Sequence, residues 1–135
     1  MALEIERRFL IKNDNWKQFI NKKVFIEQGY YSKSIDGWII RVRLIGKSSK
    51  ITLKKHIKSF TNFEFEYSIP RSDAEIIMSN LSNTIKKDRF FLEIEISYEE
   101  EDLLLPSFIS KEITGMTHYS NFSLASKPFS EWGKD

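Results

Sequence analysis

Three pairs of glutamates stand two residues apart in this chain: Glu4 and Glu6, Glu64 and Glu66, Glu93 and Glu95. Bases repeat the spacing as Arg41 and Arg43, and as Lys87 and Arg89, while Arg8 and Lys54 stand singly. A spacing of two puts both members of a pair on one face of a β-strand. Paired carboxylates offer hard oxygen ligands to Mg²⁺ or Mn²⁺, ions that keep several waters and bridge to phosphates. Guanidinium and ammonium groups meet phosphate oxygens as forks or point charges. Lining one enclosed face, the two sets would hold a polyanion together with a divalent cation. A metal-held water could then attack a terminal phosphorus while the bases neutralise charge on the leaving chain. The competing reading is a solvated exterior with cross-strand ion pairs, each contributing little. One Glu-x-Glu decides nothing; three, interleaved with bases on matching faces, give the enclosed site its weight.

The elements that must carry these residues follow from hydropathy. Leu3 to Leu10 alternates as a strand, with Leu3, Ile5, Arg7 and Phe9 on one face and Glu4, Glu6, Arg8 and Leu10 on the other. Asn13 to Trp16 reads as a cap into a short helix, Asn15 to Ile20. A strand follows over Val24 to Tyr31, then a hairpin turn at Ser34-Ile35-Asp36-Gly37. Trp38 to Ile45 sets Trp38, Ile40, Val42 and Leu44 against Arg41 and Arg43. Gly46 to Ser49 turns the chain into a strand over Lys50 to Lys55, and His56 to Thr61 reads as a loop. In Asn62 to Ile69, Phe63, Phe65 and Tyr67 oppose Glu64 and Glu66, and Pro70 ends the run. Ser72 with Glu75 predicts a capping box, opening a helix that buries Ala74, Ile77, Met78 and Leu81. Ile85 to Tyr98 holds no Gly or Pro and predicts one long strand, followed by an acidic turn at Glu99 to Asp102. Short helices are expected at Pro106 to Ile113 and Tyr119 to Ala125, with a break at Gly115.

Composition bounds the rest. The 135 residues predict a single domain, 1–135, with 41% hydrophobic and 30% charged residues, as in a folded soluble chain. Eleven phenylalanines support strands over long helices. A net charge of +2 gives no support for specific nucleic-acid binding. No cysteine is present, which excludes disulfides, thiolate metal sites and a Cys nucleophile. No apolar run approaches the ~20 residues of a membrane span, and the charged N-terminus has no signal-peptide core. No membrane association and a cytoplasmic location are therefore expected. His56 and His118 lack ligand spacing, and no phosphate-binding Gly-rich loop or Gly-x-Ser-x-Gly elbow occurs. The Phe63, Phe65, Tyr67 stripe is expected in the core rather than as a base-stacking platform.

Taken in order, these residues resemble a known family. Glu4-Ile5-Glu6-Arg7-Arg8-Phe9-Leu10 is similar to the Glu-x-Glu-x-Lys signature of the CYTH family, the triphosphate tunnel metalloenzymes. Gln28-Gly29-Tyr30, Arg41-x-Arg43, Thr52-Leu53-Lys54, Glu64-Phe65-Glu66-Tyr67 and Lys87-x-Arg89-Phe90 continue the likeness in family order. Glu93-Ile94-Glu95, Glu112-Ile113-Thr114 and Tyr119-x-Asn121-x-x-Leu124-Ala125 complete it over nearly the whole chain. The resemblance implies an α+β fold: an antiparallel β-barrel, or tunnel, with a few short helices, binding a triphosphate and Mg²⁺ or Mn²⁺ inside. It implies Glu4, Glu6 and Glu95 as metal ligands, with Glu64, Glu66 and Glu93 as supporting carboxylates. Arg8, Arg41, Arg43, Lys54, Lys87 and Arg89 would hold phosphates, and Glu4, Glu6, Arg8 and Lys87 would carry the catalytic work.

The chain also departs from the family pattern. Arg8 stands where the signature has Lys, so a role needing a neutral amine is lost there. Asn62 replaces a usual basic residue, and His118 and Ser120 replace a usual Arg and Lys. A hairpin and one acidic strand normally found between Phe90 and Glu93 are missing, which implies an incomplete barrel with two open edges. Pairing into a homodimer through those edges is one solution. Three functions stay open. The first is a divalent-metal-dependent hydrolase of inorganic triphosphate or a related triphosphate. The second is a non-catalytic triphosphate or nucleotide binder. A class IV adenylate cyclase ranks below both, because no stretch of sequence marks an adenine pocket.

Overall fold

The computed structural model describes residues 2–31, 33–59, 61–99, 102–116 and 119–126. His118, the centre of the acidic turn and the tail beyond 126 lie outside them. The strands are β1 (Leu3–Ile5), β2 (Phe9–Ile11), β3 (Ile20–Tyr30), β4 (Trp38–Ile45), β5 (Ser48–Lys58) and β6 (Thr61–Ser68), then β7 (Asn83–Leu92), β8 (Ser97–Glu99), β9 (Asp102–Leu104) and β10 (Ile109–Glu112). A 3-10 helix covers Asp14–Phe19, α1 covers Arg71–Ser79 and α2 covers Asn121–Ser126. Six strands form one antiparallel sheet in the order β1-β6-β5-β4-β3-β7, while β2 pairs with β10 and β8 with β9. The sheet curls into a half-barrel, and the expected α+β antiparallel class holds.

Period-two alternation sorts the sheet's two faces. On the convex side Val42, Leu44 and Ala74 of α1 are buried together, packed by Ile51, Ile69, Ile77 and Met78. Gly29 makes this contact possible, since a Cβ there would lie 2.9 Å from Leu81 Cδ1 and 3.0 Å from Met78 Sδ. Beyond the reach of the nine-residue α1, Trp38, Phe63 and Phe65 stack on one another with centroids 6.0–6.4 Å apart. The aromatic stripe therefore lies on the apolar face as expected but is not core throughout: Phe63 is 39% and Tyr67 57% exposed. On the concave side α2 packs against β3 and β7, and its Phe122 stands edge-on to Tyr30 at 5.7 Å.

Turn chemistry decides the hairpins. Asp36 and Gly37 both take positive φ, 51° and 81°, as a two-residue type I′ turn requires. Asn13 caps the 3-10 helix by accepting from the Asn15 N–H at 3.0 Å.

Five expectations change. The first strand breaks at Glu6-Arg7-Arg8: the Arg8 N–H donates to Thr114 Oγ1, and Arg8 O accepts from the Ile113 N–H, so the chain leaves β6 for β10. The expected helix at Pro106 to Ile113 is a turn and then β10, because β2 would otherwise leave its backbone groups unpaired. The expected loop after Lys55 is the end of β5, turned at Ser59 with φ 49°. Helix α1 opens at Arg71 behind Pro70 with no side-chain cap; Glu75, the supposed capping partner, accepts from Arg71 Nε at 3.1 Å instead. Finally, β7 stops at Leu92, opposite Ile20, where its partner β3 begins; Glu93 to Ile96 therefore have no strand to join.

The two edges of the six-stranded sheet are β1, three residues long, and β7, ten residues long.

Candidate functional site

The concave face collects charge because strand parity leaves it no choice. Once Val42 and Leu44 face α1, Arg41 and Arg43 must face the other way. Registers across the sheet then align Tyr30 with Arg41, Arg41 with Thr52, Thr52 with Glu66, and Lys54 with Glu64. A cavity of about 390 Å³ opens over these side chains.

At one end stand acids around a single ammonium. Lys54 Nζ forms a close ion pair with Glu4 and lies 3.8 Å from Glu6 and 4.0 Å from Glu64. Glu64 Oε2 is buried and has no hydrogen-bond partner. At the other end Arg41, Arg43 and Arg89 line the wall, and Arg8 reaches in from the break after β1. Arg8 is anchored by Nη2 donating to the Tyr119 carbonyl at 2.8 Å. Arg43 is nearly buried, donating from Nε to Gln28 Oε1 at 3.1 Å, while Gln28 Nε2 donates to the Tyr30 hydroxyl at 2.5 Å. Arg41 donates to Thr52 Oγ1 at 3.1 Å, but its own Nε is buried without a partner.

Burial shifts these groups, and neighbouring charge adds to it or offsets it. Burial, then repulsion from Arg41 and Arg89, lowers Arg43 to about 10. Burial, then Arg43, Arg89, Arg41 and Arg8, lowers Lys87 to about 7. Burial raises the Tyr30 hydroxyl, and Arg41 offsets only part of that. Burial also pushes the Glu66 carboxyl up, but Lys50 at 3.0 Å, Thr52 and Arg41 outweigh it and hold Glu66 below its ordinary value.

Most of the expected site residues thus gather on one face. Glu4, Glu6, Arg8, Arg41, Arg43, Lys54, Glu64 and Arg89 line the cavity. Glu66 sits beside it against Arg41 at 3.6 Å. Lys87 shares the face but is not on the cavity wall. Glu93 and Glu95 do not join: both are exposed on the segment after β7, and Glu93 accepts from Asn21 Nδ2 at 2.9 Å. Sequence reasoning assigned no role to Thr52, Tyr30, Gln28, Asn121 or Phe122. The first three share strand parity with the charged residues, which was the available signal; α2 gave none.

The acids have the right donors for a divalent cation. Their oxygens are hard ligands, and the orphaned Glu64 oxygen would gain a partner. Among the described residues, however, no three carboxylates lie close enough to form a ready-made metal site. Lys54 stands among them instead.

An antiparallel half-barrel with a charge-divided concave cavity is the class of protein that these features define. No family model matches the sequence. The chain is 29% identical over 153 aligned positions to an inorganic triphosphatase of Acetivibrio thermocellus, covering 96% of this chain and 97% of the relative. That alignment is longer than the chain itself, so the relative carries residues absent here. Among solved structures, the crystal structure of the inorganic triphosphatase NE1496 superposes with a TM-score of 0.57 and 20% identity, covering 90% of this chain and 97% of that one. A second structure, of the hypothetical protein NE1496, matches equally well, with a TM-score of 0.57. These structural likenesses bear on the fold.

Proposed function

We propose that this chain is a divalent-metal-dependent hydrolase of inorganic triphosphate or a related triphosphate. One observation carries the reading: the concave face holds a buried guanidinium N–H and a buried carboxylate oxygen, Arg41 Nε and Glu64 Oε2, each without a hydrogen-bond partner, the latter having only Lys54 Nζ at 4.0 Å. A buried polar group left unpaired costs free energy that a ligand can recover. A donor and an acceptor on one concave face, neither of them hydrogen-bonded, suit an anion and a cation bound together. Sequence similarity to an inorganic triphosphatase points the same way.

In this reading Arg41, Arg43, Arg89 and Arg8 hold the phosphate chain, and Thr52 and Gln28 keep two of those guanidiniums in place. Lys87 adds charge from behind the wall. Glu4 and Glu6 would hold Mg²⁺ or Mn²⁺ together with substrate oxygens, with Glu64 as a supporting carboxylate, and the ion would supply charge neutralisation and an acidified water. Glu66 orients Arg41 through Thr52 rather than touching metal. Glu93 and Glu95 carry no part of it.

Phosphate release from tripolyphosphate with Mg²⁺, Mn²⁺ or excess chelator tests this, with Glu4→Ala alongside. The expected result is metal-dependent release that falls at least about 100-fold in the variant, in line with loss of a positioned electrostatic group. The second reading, a triphosphate binder without turnover, draws on Lys54 among the acids. No release, with tripolyphosphate still raising thermal stability by linkage, would select it. Cyclic AMP formed from ATP would select the cyclase. Pairing of two copies through the open sheet edges stays the quaternary proposal, and a monomeric mass in multi-angle light scattering at micromolar concentration counts against it.

A further inference from the structure

The outer side of β7 is the longer open edge of the sheet: Asn83–Leu92 is bonded to β3 on one side and, among the described residues, to no strand on the other. Such an edge is a template for a further strand. The chain continues past it with Glu93 to Ile96, which alternate charged and apolar residues but run beyond the β3 ladder. Apolar surface collects where the two meet: Phe91 is 45%, Leu92 37% and Ile96 47% exposed.

Charge along this stretch is arranged symmetrically about Phe91. Lys87 and Arg89 stand four and two residues before it; Glu93 and Glu95 stand two and four residues after it. All five share one strand parity, the one that carries Lys87 and Arg89 onto the concave face. A two-fold axis on an open edge sets two copies of a strand antiparallel, with residues equally far from the axis facing one another on the same face. With the axis at Phe91, Arg89 faces Glu93 of the second copy and Lys87 faces its Glu95. Symmetry repeats both pairs. With the axis one residue back, at Phe90, each copy keeps only Lys87 against Glu93; one residue on, at Leu92, it keeps only Arg89 against Glu95. On the convex face Phe90 meets Leu92 of the second copy, and Ile94 and Ile96 gain a strand to lie beside.

We propose that two copies of this chain pair antiparallel along β7 with Phe91 on the two-fold axis, each sending Glu93 and Glu95 to the concave face of the other, beside Arg89 and Lys87. A stretch that is its own complement in charge argues for a second copy over a foreign strand. Arg89 lines the cavity, so a carboxylate of the second copy stands at the wall of each site. Lys87 lies behind that wall, where burial and then Arg43, Arg89, Arg41 and Arg8 lower it within one copy; a facing carboxylate favours its charged form. Glu93 is already placed for the part. It gives its N–H to Phe19 O at 3.1 Å, which keeps the chain on the line of β7 for one residue past the strand. Its Oε2 accepts from Asn21 Nδ2 at 2.9 Å, leaving Oε1 for Arg89 of the second copy. Pairing of this kind does not depend on the reaction at the site, and it narrows edge pairing to β7 and to one register.

Sedimentation velocity from low to high micromolar concentration, without substrate or metal, tests it. The expected result is a concentration-dependent dimer that Glu93→Lys with Glu95→Lys weakens at least about tenfold, since the facing pairs become like-charged. Lys87→Glu with Arg89→Glu should weaken it likewise. An equimolar mixture of the two double variants should dimerise again, because every facing pair is then opposite in charge. A wild type that stays monomeric overturns the proposal; so does a dimer indifferent to both double variants, or a mixture that does not recover. Register is checked by cross-linking, in a chain that has no cysteine of its own. Phe91→Cys should form a covalent dimer on mild oxidation, because facing residues of antiparallel strands lie within disulfide reach. Tyr67→Cys, at a more exposed position on β6, should not. No cross-link from Phe91→Cys, or equal cross-linking of both, overturns the register. None of these outcomes bears on phosphate release from tripolyphosphate, whose failure would leave the dimer standing.

Discussion

Lys54 and Lys87 are both lysines on the concave face, and their surroundings ask opposite things of them. Lys54 is drawn toward Glu4, Glu6 and Glu64, so its ammonium balances three like charges. Lys54→Met leaves those acids facing one another, partly shielded from water, and metal-free stability should fall by about 1–3 kcal/mol. Excess Mg²⁺ should recover part of the deficit, because the ion takes over the balancing charge. Urea unfolding in chelator and in Mg²⁺ reads this directly; a deficit of the same size in both would sink the metal assignment. Lys87 instead faces cations, which together with burial bring it to about 7. Its unfolded value is higher, so above about pH 7 the unfolded chain holds a proton that the folded chain has released. This group therefore makes folding less favourable, fully so below about pH 7, and the penalty is relieved progressively as pH rises from about 7 toward the unfolded value of 10.5. A bound polyanion acts in the opposite sense and favours the protonated amine. Tripolyphosphate affinity should fall from about pH 6 to about pH 8, with protons taken up on binding. Lys87→Met should flatten that profile and raise the melting temperature at about pH 6 by a few degrees. Calorimetry in two buffers of different ionisation enthalpy measures the uptake; a flat wild-type profile would rule the coupling out.

At the level of elements, the site depends on which face each strand turns to the core. Leu44 is buried against α1 beside Val42, and Arg43 between them faces the opposite way. Leu44→Ala should cost about 2–4 kcal/mol through the cavity it leaves, seen as a lower urea midpoint at unchanged m-value. An unchanged midpoint would show that α1 and the sheet do not share one core. Strand parity was legible because apolar and charged residues alternate across Ile40 to Leu44 and Phe63 to Tyr67. The I′ turn at Asp36-Gly37 was legible because few sequences tolerate two successive positive φ angles. What could not be read was pairing between distant segments. The fate of Glu6-Arg7-Arg8 is settled by Ile113, Thr114 and Glu112, which lie about a hundred residues away. Arg7 holds Glu112 through two hydrogen bonds at 2.8 and 2.9 Å, and with Thr114 it lowers that carboxyl to about 2. Likewise Glu93-Ile94-Glu95 alternates as a strand should, yet it lies beyond the start of β3, the strand that pairs with β7 among the described residues. Periodicity reports a face; it does not supply a partner.

For the molecule as a whole, a net charge of +2 conceals a concave surface split into an acidic and a basic end. The central strands β3, β4 and β5 are each bonded on both sides, and the deepest residues, Ile26, Gln28, Val42 and Thr52, lie on them. The cavity's remaining wall comes from less firmly held parts. β1 pairs over three residues, Arg8 hangs on contacts to Thr114 and Tyr119, and α2 is a six-residue helix. Short, half-exposed elements open at low free energy, so these should exchange amide hydrogens well before the sheet centre does. A ligand spanning the cavity links both sets. Arg41 and Arg43 would anchor it on the rigid strand, while Glu4, Arg8 and Asn121 close over it from the mobile side. Tripolyphosphate with Mg²⁺ at about 100 times its dissociation constant should add about 2.7 kcal/mol by linkage. In hydrogen-exchange mass spectrometry the gain should appear mainly in peptides covering residues 3–12 and 119–126, with β4 and β5 little changed. Salt should erode it, since the phosphate contacts are ionic and screening at about 0.5 M is strong. Protection confined to the central strands would mean that the ligand never engages Glu4 and α2, and the half-barrel would then be an open basic trough rather than a site that closes around a metal-bound triphosphate.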